Sequence, residues 1–181
     1  MTSLAEKVVA LHRALDTASL PHAFGGALAL GWCTREPRAT SDIDLNVFAP
    51  MSSARAVLDA LPREVTRSGR NARRLERDGQ DRLRWDHTPV DLFLNTTGFH
   101  EGALGRVSVE PFAGDMVPFL SCSDLAVFKA FLDRRRDWAD MEDMLAARSV
   151  DVDVVAAALA EHLGPGDERI AKLREMEREV G

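Results

Sequence analysis

The sequence predicts an α/β (α+β) fold, a mixed sheet core followed by a C-terminal helical bundle. Three observations carry that expectation. Ile43, Leu45 and Val47 alternate with Asp42, Asp44 and Asn46, the period-two pattern of a half-buried strand. Val90 to Leu94 is an apolar strand broken by a single carboxylate, Asp91. From Ser123 onward the apolar spacing turns helical. Residues 1–120 are expected to form the core, and residues 121–181 a helical region packed on it.

In chain order, residues 3–18 read as an amphipathic helix. Ser3 and Glu6 are spaced as a capping box, and Leu4, Val8, Leu11 and Leu15 share one face. A short strand at 21–24 runs into a Gly25-Gly26 turn and a helix reaching Cys33. Residues 34–41, with Pro37, form a loop that delivers the chain into a strand at 42–48. Ser52 or Ser53 caps a helix that ends near Leu61, where Pro62 interrupts. Residues 72–86 read as two short strands around an Asp78-Gly79 turn, and the 90–95 strand follows. Pro111 and Pro118 mark short or edge strands within 106–120. Helices are expected at 123–133, 135–148, 151–162 and 166–179.

A chain of 181 residues can bury a substantial core. No run reaches 18 apolar residues and the N-terminus lacks a signal-peptide pattern, so a soluble cytoplasmic protein with no membrane partner is expected. Cys33 and Cys122 are too few and too far apart for a zinc cluster or disulfide framework, and both read as reduced thiols. The net charge of −6 argues against a surface coated by nucleic acid. Locally the balance reverses: residues 63–84 hold eight arginines against four acids, a net +4. Such a segment can attract RNA through counterion release. It can equally be a solvent-facing hairpin kept soluble by its arginines.

Asp42 and Asp44 are the leading functional candidates. Alternate strand residues share a face, with Cα atoms about 6.6 Å apart. Carboxylates held that closely in a partly dry site repel unless a hard cation lies between them. The alternative is the solvated face of an edge strand. Gly25 and Gly26, at a strand-to-helix turn, would let backbone N–H groups approach a phosphate. Asp91, inside an apolar strand, must face solvent or meet a cation. Together Asp42, Asp44 and Asp91 would suit two Mg²⁺ ions, or Mn²⁺, about 4 Å apart.

The pattern G-[GS], then R-x-T-x-D-I-D-L, then a hydrophobic-Asp-hydrophobic strand resembles the nucleotidyltransferase superfamily typified by DNA polymerase β. Within it, Lys129, Arg136, Asp137 and Asp140 resemble the K…R-x-D-x-x-D helical signature of the AbiEii and MenT toxin-type group. The resemblance covers roughly residues 20–145. It implies a mixed-sheet nucleotidyltransferase core in which Asp42, Asp44, Asp91 and Lys129 are catalytic. Gly25, Gly26, Arg38, Thr40, Ser41, Lys129, Asp137 and Asp140 would bind the NTP. Read without that resemblance, Lys129 is a snorkelling helix lysine, and Thr40 and Ser41 perform ordinary turn chemistry.

The implied reaction transfers NMP from an NTP to an acceptor hydroxyl and releases pyrophosphate. The implied acceptor is the 3′ end of tRNA, and the implied protein partner is a cognate antitoxin. Phosphorylation of Thr40 or Ser41 would place charge beside the carboxylates and repel a triphosphate. Two other functions remain open: an aminoglycoside or lincosamide nucleotidyltransferase, and a non-catalytic antitoxin or regulator with this fold. The histidines show no zinc or catalytic spacing, and His12 reads as a surface residue. Trp32, Trp85 and Trp138 are expected to serve packing.

Overall fold

The computed structural model describes residues 2–180. Its elements are α1 (Leu4–Thr17), β1 (His22–Phe24), α2 (Gly26–Thr34), β2 (Ile43–Pro50), α3 (Ala54–Ala60), β3 (Val65–Thr66), α4 (Gly69–Asp78), β4 (Gln80–Trp85) and β5 (Thr88–Asn95). They continue with α5 (Gly98–Ala103), β6 (Ser108–Phe112), β7 (Asp115–Phe119), α6 (Cys122–Leu132), α7 (Arg135–Ala146), α8 (Val152–Leu163) and α9 (Glu168–Val180). They divide into two compact units, the first formed by the chain up to Leu28 with Ala39–Leu120, the second by Ala29–Arg38 with the chain from Ser121 onward.

The first unit holds a seven-stranded mixed sheet in the order β3-β4-β5-β2-β1-β7-β6. β2 runs parallel to β5, and β1 parallel to β7, whereas the other neighbours are antiparallel. Period-two patterning decides which face is buried. Leu83 and Trp85 of β4, Val90, Leu92 and Leu94 of β5, and Ile43, Leu45 and Val47 of β2 are all buried. Their neighbours Arg82, Arg84, Asp91, Asp42 and Asp44 lie on the more open face. α1 buries Val8, Leu11 and Leu15. Its Lys7 threads into the core of this unit and donates to the Trp85 carbonyl and the Thr88 hydroxyl, both at 3.0 Å. The Ser3–Glu6 capping box is present.

Two expectations fail here. Residues 69–78 are helical, not the first arm of a hairpin. Ala72 and Leu75 give α4 its buried stripe, Ser68 and Asn71 form its capping box, and Gly79 in the left-handed region ends it. The hairpin lies one element later, with β4 and β5 joined through Asp86 and His87. α5, between β5 and β6, is started by the Thr97 hydroxyl accepting from the His100 N–H. His12 is half-buried and makes a 2.9 Å contact with the His22 ring.

The second unit is helical, packing α6 through α9 with the end of α2. Leu125, Ala126, Ala130, Met141, Met144, Val155, Leu159 and Leu173 are buried in it. Cys33 of α2 and Cys122 of α6 form a disulfide, with Cα atoms 5.6 Å apart, which corrects the reading of two free thiols. The separation of 89 residues that argued against pairing is no obstacle once the helices bring the two together. No helix among the described residues is long and apolar enough to cross a membrane.

Candidate active site

Strand register assembles the first group of candidate residues. Asp44 on β2 stands directly opposite Asp91 on β5 in a parallel ladder. Asp42, two residues before Asp44, falls on the same face. All three carboxylates are half-buried. Sequence spacing gave the Asp42–Asp44 relation, and the ladder adds Asp91.

Each of two carboxylates has a partner of its own. Thr40 donates its hydroxyl to Asp42 Oδ1 at 2.7 Å and also reaches the Asp42 carbonyl at 3.0 Å. Arg82 sits opposite Asp91 across the β4–β5 hairpin and forks onto it, Nε and Nη2 each 2.6 Å from a carboxylate oxygen. The same Nη2 lies 4.0 Å from Asp42 Oδ2. The hydrogen bonds to Asp91 raise the Arg82 pKa, with the Asp91 charge, and then those of Asp42 and Asp44, adding to the effect. Arg82 is thus a member of the site that was read from the sequence only as one arginine of a patch. With the hairpin turn at Asp86-His87, cross-strand pairing with Asp91 is the signal that would have found it.

Gly25 and Gly26 are required by strand contact. The Gly25 N–H donates to the Asp44 carbonyl at 2.9 Å. Gly26 opens α2 with φ of +54°, and a Cβ there would meet Asp44 Oδ2 at 1.8 Å. The start of α2 therefore rests on the Asp44 carboxylate at a distance only glycine permits. Ser41 is exposed beside this group.

Among the described residues no three His, Cys, Asp or Glu side chains converge closely enough to hold a metal ion. The donor set nevertheless fits a hard divalent cation: three carboxylates, oxygen only, on one face of adjacent strands. Arg82 supplies positive charge among them.

The second unit gathers the remaining candidates. Lys129 donates to Asp140 at 2.6 Å and lies 3.6 Å from Asp137. Asp137 also accepts from Arg134 at 2.6 Å. Arg38 reaches Asp140 through one nitrogen and Asp143, at 3.0 Å, through another. Asp137 and Asp140, one helical turn apart, are buried with Lys129, so their charges answer one another inside the unit. Lys129 is thus held inside the unit by Asp137 and Asp140, with Arg134 pairing to Asp137 at the rim.

Several solved structures share this architecture. ANT(2″)-Ia, described as an antibiotic-resistance factor, matches in its solution structure with a TM-score of 0.56 and 16% identity over 97% of this chain and 91% of that one. Its complex with adenylyl-2″-tobramycin matches with a TM-score of 0.55 and 16% identity over 97% of both chains. An antigenic nucleotidyltransferase-like protein from Paracoccidioides brasiliensis gives 0.57 at 14% identity, covering 99% of this chain and 92% of that one. The chain has a nucleotidyltransferase fold. No family model and no curated protein matches the sequence. Within this nucleotidyltransferase fold, the edge of the sheet beside Asp91 carries both charges. A groove of about 400 Å³ there is lined by Arg74, Arg77 and Arg82 together with Asp78, Asp81, Asp91 and Phe93.

Proposed function

We propose that this protein is a metal-dependent nucleotidyltransferase that moves NMP from an NTP to a hydroxyl of an RNA, with the 3′ end of tRNA as acceptor. The observation that carries the reading is the in-register pair Asp44 and Asp91 with Asp42 on the same face. A divalent cation such as Mg²⁺ or Mn²⁺, held by these carboxylates, would neutralise phosphate charge and polarise the α-phosphoryl group. Asp42 and Asp44 position the triphosphate side of that site. Asp91, released from Arg82, takes the proton of the acceptor hydroxyl. The acceptor oxygen bonds to the α-phosphorus, the bond to the bridging oxygen breaks, and pyrophosphate leaves with the electron pair. Arg82, freed in the exchange, remains beside the phosphates as a cation. An activity of this kind on tRNA would make the protein a toxin, with a cognate antitoxin as its partner.

The acceptor is read as an anion because four exposed arginines of α4, at positions 70, 73, 74 and 77, line a hollow that shares Arg74 and Arg77 with the groove at Asp91. A second reading, transfer to an aminoglycoside, is favoured by the likeness to the ANT(2″)-Ia complex with adenylyl-2″-tobramycin. A cationic drug would meet those same arginines, which weighs against it.

The test incubates the protein with each labelled NTP, Mg²⁺ and either total tRNA or an antibiotic panel. Label in tRNA is the expected result, label in a drug selects the second reading, and no label with any acceptor overturns both. Asp44→Ala should abolish transfer while the circular dichroism spectrum stays that of the parent. Full transfer by that variant would sink the carboxylate assignment.

A further inference from the structure

α4 carries four arginines at positions 70, 73, 74 and 77, the i, i+3, i+4, i+7 spacing that places side chains along one helix face. All four are exposed. The ladder spans about 10.5 Å along the axis at about 1.5 Å per residue. Its opposite stripe, Ala72 and Leu75, is committed to the core of the first unit. Not all of the charge is equally available. Arg77 forks onto its neighbour Asp78, and Arg74 is 3.2 Å from Asp81. Arg70 and Arg73 form no ion pair among the described residues.

The face leads directly to the candidate site. Arg70, Arg73, Arg74 and Arg77, with Glu76, line one hollow of about 510 Å³. Arg74 and Arg77 then also line the groove that contains Arg82 and Asp91. β3 pairs with β4 only at Arg84 and Trp85, so Gln80–Arg82 have no strand partner on that side, and the groove passes there. The protein carries a net charge of −6, yet the hollow holds four arginines against one acid, Glu76, and the groove beyond it sets three arginines against Asp78, Asp81 and Asp91. Guanidinium forks match phosphate oxygens in pairs, and a helical ladder presents them at fixed intervals.

We propose that the arginine face of α4 binds the phosphate backbone of the RNA acceptor and directs its end over the β4 edge toward Asp91. This rests on the nucleotidyl-transfer reading of Asp91 for its direction, but not for its binding. Arg70 and Arg73 hold backbone phosphates, and Arg74 and Arg77 exchange their own acids for phosphate as the strand reaches the groove. Recognition through phosphates carries no base preference. A strongly acidic protein is the competing occupant of such a face. The excess of arginine in the hollow, with no large apolar side chain among the residues lining it, favours a phosphate backbone over a protein interface, whose core is built on apolar anchors.

The test measures binding of labelled tRNA in EDTA without NTP, so that catalysis plays no part, across a salt series. Arg70→Ser/Arg73→Ser is expected to weaken binding about tenfold at physiological salt. The slope of log K against log salt should become shallower by about 1.4, the loss of two phosphate contacts on a single strand. Both positions are exposed, and an unchanged melting temperature confirms folding. Binding and slope equal to those of the parent overturn the proposal, as does failure of the parent to bind tRNA. Competition by poly-glutamate at the same charge concentration as strongly as by RNA overturns it in favour of an acidic protein. The outcomes separate from those of Asp44→Ala: that variant should still bind tRNA in EDTA, and loss of its transfer activity alone leaves the binding face standing or falling on the arginine variant.

Discussion

Gly26 shows how one missing side chain positions a site. Its φ of +54° already disfavours an L side chain, and a Cβ would sit 1.8 Å from Asp44 Oδ2. Gly26→Ala must therefore move either the first turn of α2 or the Asp44 carboxylate. A non-glycine residue in the left-handed region costs about 1 kcal/mol or more, and the clash adds to it. We expect Gly26→Ala to lower the melting temperature by several degrees and to reduce nucleotidyl transfer by more than the loss of folded protein explains. Parental activity per folded molecule would show that Asp44 is not held by this contact. The same residue marks what one sequence can and cannot say. The glycine pair was legible as a special turn, with phosphate approach as its reason, whereas the distance that forbids a side chain belongs to the approach of α2 to β2.

Among the elements, α2 and α6 are tied by Cys33–Cys122 across 89 residues. A crosslink closing so long a loop removes many conformations from the unfolded chain and typically contributes about 2–4 kcal/mol. For a chain of this size that corresponds to a fall of about 5–15 °C in the melting transition on reduction. Thermal melts with and without dithiothreitol, with Cys33→Ser/Cys122→Ser as control, check it; equal melting of all three would remove the bridge as a stabilising element. Elements with strong local signals were legible: α1 through its capping box, β2 and β5 through alternation, and α6 to α9 through helical spacing. α4 was not, because only Ala72 and Leu75 mark its apolar stripe among charged residues, and Gly79 ends a helix as readily as it turns a hairpin. Misplacing that hairpin also hid Arg82 opposite Asp91, since cross-strand partners follow from register and not from distance along the chain.

For the molecule as a whole, response to pH follows from buried imidazoles and not from the net charge. His22 and His100 are 6% and 4% exposed, and burial lowers the pKa of each below the ordinary 6.5. His22 Nδ1 faces the Leu20 carbonyl at 2.8 Å, and Nε2 faces the His12 ring at 2.9 Å. Asp16 draws the His22 pKa upward, but less strongly than desolvation lowers it. As pH falls through 6.5 the unfolded chain takes up protons at both positions while the folded chain does not. Stability is therefore full above that value and declines below it, until the folded-state pKa values are passed. The half-buried carboxylates Asp115 and Asp167 contribute in a more acidic region. Each is lowered by an arginine hydrogen bond, Asp167 to about 2, so their stabilisation is present above the ordinary 3.8 and lost only in stronger acid. The melting temperature should thus fall between pH 7 and pH 5, before those carboxylates titrate. His22→Gln removes one of the two protons involved, and its melting temperature should vary less steeply over that interval even if the variant is less stable throughout. A slope as steep as the parent's would show that His22 does not set the acid limit, and would leave His100 as the group to replace next.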